Sequence, residues 1–239
     1  MKTFGRVLTA MITSFNNDGS LNIENSVAIA HHLLDNESDG LVVCGTTGEN
    51  PSMTKEDKLA LFTAIAKECG HKGSIIANVG SNDTKASVDF VKEVSKIDGI
   101  DGLLVVVPYY NKPNQQGQYL HFKAIAEATT LPIMVYNVPS RVGTGIFPTT
   151  LAQLHSEYPH VCAIKEASGN LMIASEIKRL MPEDDFMVYS GDDGLTLPML
   201  SVGACGVVSV VSHVAGKDMN AMIQAYESGH NHEALRIHQ

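Results

Sequence analysis

Short apolar segments alternate with longer mixed segments along the whole chain. Eight of the short segments are rich in Val, Ile and Leu and are bounded by Gly, Pro, Asn or Asp, which is typical of strands. A strand that is covered on both faces is a near-continuous apolar run, so we interpret them as strands of a buried parallel sheet. The predicted strands are 6–11, 40–45, 74–80, 102–108, 131–137, 161–167, 186–191 and 206–211.

The longer segments carry helix signals. Residues 54–70 begin at Thr54, place acidic residues early and stop at Gly70, which matches the preferred residues at helix ends, and 81–99 has a similar arrangement. Alternating strands and helices imply right-handed βαβ units and a parallel sheet. Eight such units predict an α/β protein with a (β/α)8 TIM barrel. An open doubly wound sheet is the main alternative, but it usually has fewer strands and often a glycine-rich phosphate motif, and neither GxGxxG nor GxxxxGK[ST] occurs in the sequence.

The last residues predict a helical extension of the barrel. One helix is expected to end near Ser228, and a second helical pattern begins at Asn231 and reaches Gln239 without a Gly or Pro to stop it. We therefore expect a catalytic barrel over 1–228. We expect 229–239 to be the start of a C-terminal helical domain that is mostly absent.

Composition narrows the range of partners. The 239 residues are 44% hydrophobic and 18% charged, as in globular proteins, and the net charge of −9 lacks the basic footprint of a nucleic-acid-binding protein. No signal peptide and no run of about 18 apolar residues that could cross a membrane is seen. The four cysteines are scattered without CxxC spacing, which favours reduced thiols. We predict a cytoplasmic protein that binds neither nucleic acid nor membranes.

One lysine lies inside a predicted buried strand. On two-residue alternation, Lys165 shares a face with Val161 and Ala163, whereas Glu166 points to the opposite face and is a poor ion-pair partner. Barrel enzymes carry their chemistry at the C-terminal ends of strands, where Lys165 falls. Burial lowers the pKa of an amine, and a neutral amine attacks a ketone to form a Schiff base. We therefore favour a catalytic lysine over a structural ion pair.

Three other predicted strand ends carry candidate groups. The GTTGEN turn after the second strand offers backbone N–H groups to a carboxylate or phosphate, or is an ordinary helix-capping turn. PYYNKP and YNVPSR follow the fourth and fifth strands and supply Tyr109, Tyr110, Tyr136 and Arg141. The tyrosines either act as tuned acid–base groups or pack at a rim. The arginine either binds a carboxylate or is solvated.

Metal chemistry has weaker support. Asp192 and Asp193 in SGDDG could bind Mg²⁺, but adjacent acids before an apolar helix more often cap it. The histidines of 230–238 have metal-compatible spacing, yet they fall in the final helical segment. We expect no metal and no organic cofactor.

Several motifs occur together in one order and spacing. GTTGE, PYYNKP, YNVPSR, IKEASGNL and SGDD resemble those of the dihydrodipicolinate synthase family, in the N-acetylneuraminate lyase superfamily, and the likeness runs to about residue 235. The resemblance implies a cofactor-free lyase in which pyruvate forms a Schiff base and condenses with L-aspartate 4-semialdehyde. The product would be 4-hydroxy-tetrahydrodipicolinate, in the first committed step of lysine biosynthesis through diaminopimelate. A homodimer or homotetramer is also implied.

The resemblance also implies roles for eight residues. Lys165 matches the lysine that condenses with pyruvate, and Tyr136 matches the tyrosine that relays protons. Thr46 and Tyr110 match the relay partners of that tyrosine, and Tyr110 is expected to reach into the active site of a neighbouring subunit. The substrate-binding matches are Thr47 at the pyruvate carboxylate, Arg141 at the carboxylate of the second substrate, and Gly191 and Val208 with backbone carbonyls lining the pocket.

The sequence departs from one feature of the family. Lysine-inhibited members carry histidines and a glutamate in an effector site at the dimer interface. The matching residues here are Lys55, Lys58 and Ala86, although Asn82 is retained. We therefore expect weak or absent feedback by lysine.

Two other functions remain open from the sequence. A sister class I pyruvate aldolase, either N-acetylneuraminate lyase or a keto-deoxy sugar-acid aldolase, would share the lysine and the tyrosine of the fifth strand. Tyr110 and Arg141 argue against it. An inactive barrel that binds ligands without turnover is the second alternative.

Overall fold

Eight parallel strands close into a barrel in chain order, with β1 hydrogen-bonded to both β2 and β8. The structure is a computed structural model that describes residues 4–182 and 186–239. The closed barrel of eight parallel strands confirms the predicted (β/α)8 TIM barrel. The strands are β1 Val7–Ala10, β2 Gly40–Val43, β3 Ser74–Asn78, β4 Gly102–Val106, β5 Ile133–Asn137, β6 Val161–Glu166, β7 Met187–Ser190 and β8 Gly206–Ser209.

Each strand lies within the segment predicted for it, and all eight are shorter than predicted. Nearly every strand residue is buried, as expected for strands covered by helices outside and by side chains within the barrel. The second strand ends at Val43 because Cys44 adopts a left-handed backbone with φ 56°. The chain turns there into the loop that carries GTTGEN.

Ten α-helices lie within the described residues. Among the described segments, none is long and apolar enough to cross a membrane. The helices are α1 Ile23–Asp35, α2 Lys55–Cys69, α3 Thr84–Val94, α4 Gln115–Ala126, α5 Pro139–Val142, α6 Pro148–Glu157, α7 Leu171–Leu180, α8 Thr196–Ser201, α9 Ser212–Glu227 and α10 Asn231–His238.

Two helix predictions had different outcomes. The prediction for α2 was accurate to one residue at each end, because Thr54 forms a capping box with Asp57. The prediction of a helix over 81–99 was too long at both ends. Asp83 caps the first turn of α3, and the chain leaves the helix after Val94.

The final helix packs against the one before it. It begins at Asn231, as predicted, and buries Ala234 in a small apolar cluster with Met222 of α9 and Val7 of β1. These contacts supply the tertiary support that a helix of eight residues needs. The division of the chain at Ser228 stays a prediction.

Candidate active site

Lys165 lies at the C-terminal end of β6, as predicted, and its side chain is buried. Only 7% of the residue is exposed, and its direct neighbours in the sheet are Tyr136 on β5 and Tyr189 on β7. The Lys165 Nζ atom lies 4.5 Å from the centroid of the Tyr136 ring. The amine therefore faces an aromatic ring at the end of the barrel where the active sites of this fold are found.

Burial lowers the pKa of Lys165 to about 8, since the charged form loses hydration. The negative charge of Asp193 raises this pKa, and the positive charge of Arg141 lowers it. With a pKa near 8, roughly one amine in ten is neutral at pH 7, against fewer than about one in a thousand for an ordinary lysine. Burial therefore gives this amine a larger neutral fraction near neutral pH than an ordinary lysine has.

Glu166 has partners other than Lys165. Its Oε2 accepts a hydrogen bond from Asn137 Nδ2 at 2.7 Å, and its Oε1 accepts one from Ser168 N at 2.6 Å. Over 4–182 and 186–239, the structure shows no salt bridge between Lys165 and a carboxylate. This arrangement supports the assignment of Glu166 to the opposite face of the strand.

Tyr136 is buried on β5 and lines a cavity of about 710 Å³. Burial raises the pKa of its phenol, whereas the charge of Arg141 and a hydrogen bond with the Thr46 side chain lower it. Thr46 and Arg141 are both exposed and line the same cavity. Lys165 is not on the wall of this cavity but lies beside it, against the ring of Tyr136. The structure therefore brings these four residues together.

The turn after β2 presents free backbone donors. The amides of Gly48 and Glu49 donate within the turn, to Gly45 O and Thr46 O. Within the part of the chain that the structure describes, the amides of Thr46 and Thr47 have no hydrogen-bond acceptor. Adjacent unpaired N–H groups form a concave site for an anion, so this geometry favours the anion-binding alternative for GTTGEN.

Gly191 lies at the end of β7, next to the lysine strand β6, and Val208 lies on β8, one strand further around the barrel. Gly191 directly follows β7, and a Cβ added there would lie 3.2 Å from Lys165 Cε and 2.6 Å from Ala167 Cβ. Only glycine leaves room for the lysine stem in this position. Val208 is buried within β8, where it pairs with Leu8.

Tyr110 is exposed and does not line the cavity that other candidates share. It is 87% exposed and has a left-handed backbone with φ 67°. Two hydrogen bonds between Asn82 and Asn111 tie this loop to the start of α3, at 3.0 and 3.2 Å. A tyrosine held in a strained conformation at the surface has no role in packing its own subunit. Tyr109, beside it, lines the cavity.

Asp193 has contacts that the sequence did not reveal. Its Oδ2 accepts hydrogen bonds from Val210 N and Val211 N, both at 3.0 Å, in the loop after β8. Its Oδ1 is buried and has no hydrogen-bond partner among the described residues. The neighbouring Asp192 is a cap, as favoured, since it accepts from Gly194 N at 2.9 Å. No cluster of three or more His, Cys, Asp or Glu side chains over 4–182 and 186–239 has the geometry of a metal site.

The three residues at the effector-site positions line the same cavity. Lys55 forms a 2.8 Å salt bridge with Glu93, and burial lowers the pKa of Lys58. Ala86 offers no charge on the facing helix α3. Glu93 compensates the charge of Lys55, whereas Lys58 has no salt-bridge partner among the described residues. An uncompensated lysine on this side of the cavity is unfavourable for a second cation.

Sequence comparisons identify relatives across nearly the whole chain. The model of the dihydrodipicolinate synthetase family matches residues 3–239. A protein named 4-hydroxy-tetrahydrodipicolinate synthase from Bacillus subtilis is 50% identical over 236 residues, which is 99% of this chain and 81% of that protein. A protein of the same name from Desulforamulus reducens is 48% identical over 98% of this chain and 79% of its own length.

Solved structures give the same result. The crystal structure of a dihydrodipicolinate synthase from Bacillus anthracis superposes with a TM-score of 0.96 at 45% identity, and covers 100% of this chain and 81% of its own. The enzyme from Cyanidioschyzon merolae, solved with lysine bound, gives a TM-score of 0.95 at 44% identity over 98% of this chain and 80% of its own.

Proposed function

The chain belongs to the dihydrodipicolinate synthetase family, and from this premise we propose that Lys165 is its Schiff-base nucleophile. The chain is a lyase that condenses pyruvate with L-aspartate 4-semialdehyde to 4-hydroxy-tetrahydrodipicolinate, in lysine biosynthesis through diaminopimelate. One observation carries the assignment of the nucleophile. Lys165 combines burial, a pKa near 8 and a position against Tyr136 at the C-terminal end of the barrel.

The first step is formation of the imine. The neutral Lys165 Nζ attacks the C2 carbonyl carbon of pyruvate, and proton transfers give a carbinolamine. The hydroxyl then takes up a proton and leaves as water, so that the nitrogen becomes doubly bonded to C2 and positively charged. Tyr136 supplies and removes these protons, since its phenol lies next to the amine and interacts with Thr46.

The second step forms the carbon–carbon bond. The protonated imine is an electron sink, so the pyruvate methyl loses a proton and becomes an enamine. The enamine carbon attacks the aldehyde carbon of L-aspartate 4-semialdehyde, and the aldehyde oxygen gains a proton to become a hydroxyl. The C=C electrons of the enamine form the new carbon–carbon bond while the nitrogen lone pair re-forms the C=N bond, which restores the protonated imine on Lys165.

Ring closure releases the enzyme. The amino group of the second substrate attacks C2 of the restored imine and loses its protons as the lysine leaves. The product keeps the new hydroxyl, and Lys165 returns as the free amine. The whole reaction consumes the two substrates and releases one water, so no redox cofactor is needed to balance it.

The remaining candidates bind the substrates. The unpaired amides of Thr46 and Thr47 suit the pyruvate carboxylate. Arg141, exposed in the cavity, suits the carboxylate of L-aspartate 4-semialdehyde. The backbone carbonyls of Gly191 and Val208 complete the wall beside the lysine. The size of the cavity, about 710 Å³, is in the usual range for small-molecule sites.

The exposure of Tyr110 supports assembly into a homodimer or homotetramer. Because this tyrosine does not line the cavity of its own chain, its proposed role in the proton relay requires the active site of a neighbouring subunit. Mixing Tyr110→Phe protein with Lys165→Ala protein tests this arrangement. Shared sites predict partial recovery of activity in the mixture, and sites complete within one chain predict none.

Two activity assays distinguish the synthase from a sister aldolase. We expect turnover of pyruvate with L-aspartate 4-semialdehyde and none of N-acetylneuraminate, since the relatives described above are named as synthases. Turnover of N-acetylneuraminate alone would contradict the proposed substrate. Absence of turnover in both assays would favour an inactive barrel.

A further inference from the structure

Asp193 connects the loops after β7 and β8 beside the reactive lysine. Its Oδ2 accepts two backbone hydrogen bonds at 3.0 Å, from Val210 and Val211, which fixes the carboxylate in place. The chain between β7 and Asp193 lies against the lysine stem, since a Cβ at Gly191 would be 3.2 Å from Lys165 Cε. The second oxygen, Oδ1, is buried without a partner among the described residues.

A buried carboxylate oxygen without a hydrogen-bond partner lowers the stability of the fold, so its presence calls for an explanation. One oxygen would be enough to tie the two loops together, and a neutral amide could do that equally well. The charge on the second oxygen therefore needs a separate explanation. That charge acts on the nitrogen of Lys165, whose protonated form it favours.

We propose that Asp193 is a positioning residue whose fixed negative charge stabilises the protonated imine on Lys165. This inference rests on the proposed function, because only Schiff-base chemistry creates that cation. The imine nitrogen carries its positive charge while the methyl group loses its proton, so a fixed anion nearby stabilises the state that must be populated. A pre-oriented charge of this kind needs no reorganisation during the reaction.

The surrounding groups make this assignment specific. Among described residues, Asp193 is the one carboxylate whose charge acts on Lys165, since both oxygens of Glu166 accept other hydrogen bonds. Arg141 acts in the opposite direction. The tyrosine that faces the lysine is Tyr136 on β5, whereas Tyr189, its neighbour in the sheet on β7, directs its hydroxyl to Gly5 O.

Distance from the substrate carboxylate also favours this role. The free amides of Thr46 and Thr47 follow β2, which lies on the opposite side of the closed barrel from β6. Asp193 follows β7, next to β6. The Asp193 carboxylate is thus on the same side of the barrel as the lysine strand, and the proposed site for the pyruvate carboxylate is on the opposite side. This separation limits repulsion between the two carboxylates.

The test compares Asp193→Asn with the wild type and with Asp192→Asn. Asparagine keeps an oxygen that can accept from Val210 and Val211 but removes the charge, and Asp192→Asn removes the same charge one residue away from an exposed cap. Two quantities are measured: the pH dependence of kcat/KM for pyruvate, whose acid limb reports the free amine, and kcat itself. Borohydride trapping with pyruvate is run in parallel on all three proteins.

The charge-based role predicts two changes in Asp193→Asn. The acid limb moves to lower pH by roughly one unit, because the ammonium loses a favourable charge. At the same time kcat falls by about tenfold, because the protonated imine is less stable. The limb of Asp192→Asn should remain close to that of the wild type.

The contrary outcomes are also defined. An acid limb of Asp193→Asn that coincides with that of the wild type would show that Asp193 only joins the two loops. Failure of Asp193→Asn to fold would show that the charge serves the fold, and would also contradict the proposal. Trapping of pyruvate by the wild type keeps the Schiff-base function intact in either case, whereas its absence would count against the proposed function itself.

Discussion

Replacement of Lys165 by methionine should make the protein more stable at neutral pH. Methionine has a similar length and no charge, so it keeps the apolar stem and removes the ammonium. Burial has depressed the pKa of Lys165 from 10.5 to about 8, which means that protonation of this lysine opposes folding. The proposed catalytic role therefore implies that Lys165 reduces stability in exchange for reactivity.

The magnitude follows from the pKa change. The shift of roughly 2.5 units corresponds to about 3 kcal/mol at 1.36 kcal/mol per unit. Between pH 8 and 10.5 the unfolded chain binds a proton at this lysine that the folded chain does not, so wild-type stability rises with pH in that window. The contribution of the neutral amine is fully present above 10.5 and is lost as the pH falls through 8. Lys165→Met lacks this dependence.

Urea unfolding followed by far-UV circular dichroism measures the effect, since the chain contains no Trp to serve as a fluorescence probe. The variant should be more stable than the wild type by about 3 kcal/mol at pH 7, and the difference should shrink as the pH rises from 8 to 10.5. Lys217→Met, at an exposed lysine of α9, controls for the loss of one positive charge. Protein concentration is held constant because assembly changes apparent stability. A difference that is independent of pH would refute the reasoning.

Three further predictions concern the site. Gly191→Ala should lower the free energy of unfolding by about 1–3 kcal/mol through overpacking, because the new Cβ would lie 2.6 Å from Ala167 Cβ, and should lower activity because it would also lie 3.2 Å from Lys165 Cε; unchanged kinetics and stability would contradict it. Tyr136→Phe should reduce kcat by roughly 10²–10⁴-fold with little change in unfolding, because it removes the phenol but keeps the ring beside the amine; near-normal kcat in a coupled assay would exclude the relay. Added L-lysine should leave the rate unchanged, because Lys58 lines the cavity without a salt-bridge partner among the described residues and repels a cation; calorimetry that shows tight binding together with inhibition would overturn this expectation.

The barrel was predictable because its strands are buried on both faces and regularly spaced. The alternation rule also predicted the orientation of Lys165 and separated it from Glu166, which the structure shows bonded to Asn137 and Ser168. These inferences depend on local periodicity, which a single sequence carries. The strand ends were less accurate because they depend on loop geometry, as at Cys44 with its left-handed backbone.

Long-range contacts between loops could not be predicted from the sequence. Asp193 is 17 and 18 residues from the two amides that it binds, and nothing in SGDDG distinguishes a loop tie from a cap or a metal ligand. The exposure of Tyr110 could not be predicted either, because its loop has an unusual backbone angle, with φ 67° in a residue other than glycine. Only the folded chain shows which groups end up near the lysine.

Covalent trapping of pyruvate tests the central claim most directly. Incubation with pyruvate and borohydride, followed by peptide mass spectrometry, should give one reduced adduct, located on Lys165, because its burial holds the amine reactive near neutral pH. Lys165→Ala should give none. An unmodified wild-type chain, or an adduct on another lysine, would contradict the assignment of Lys165 as the nucleophile.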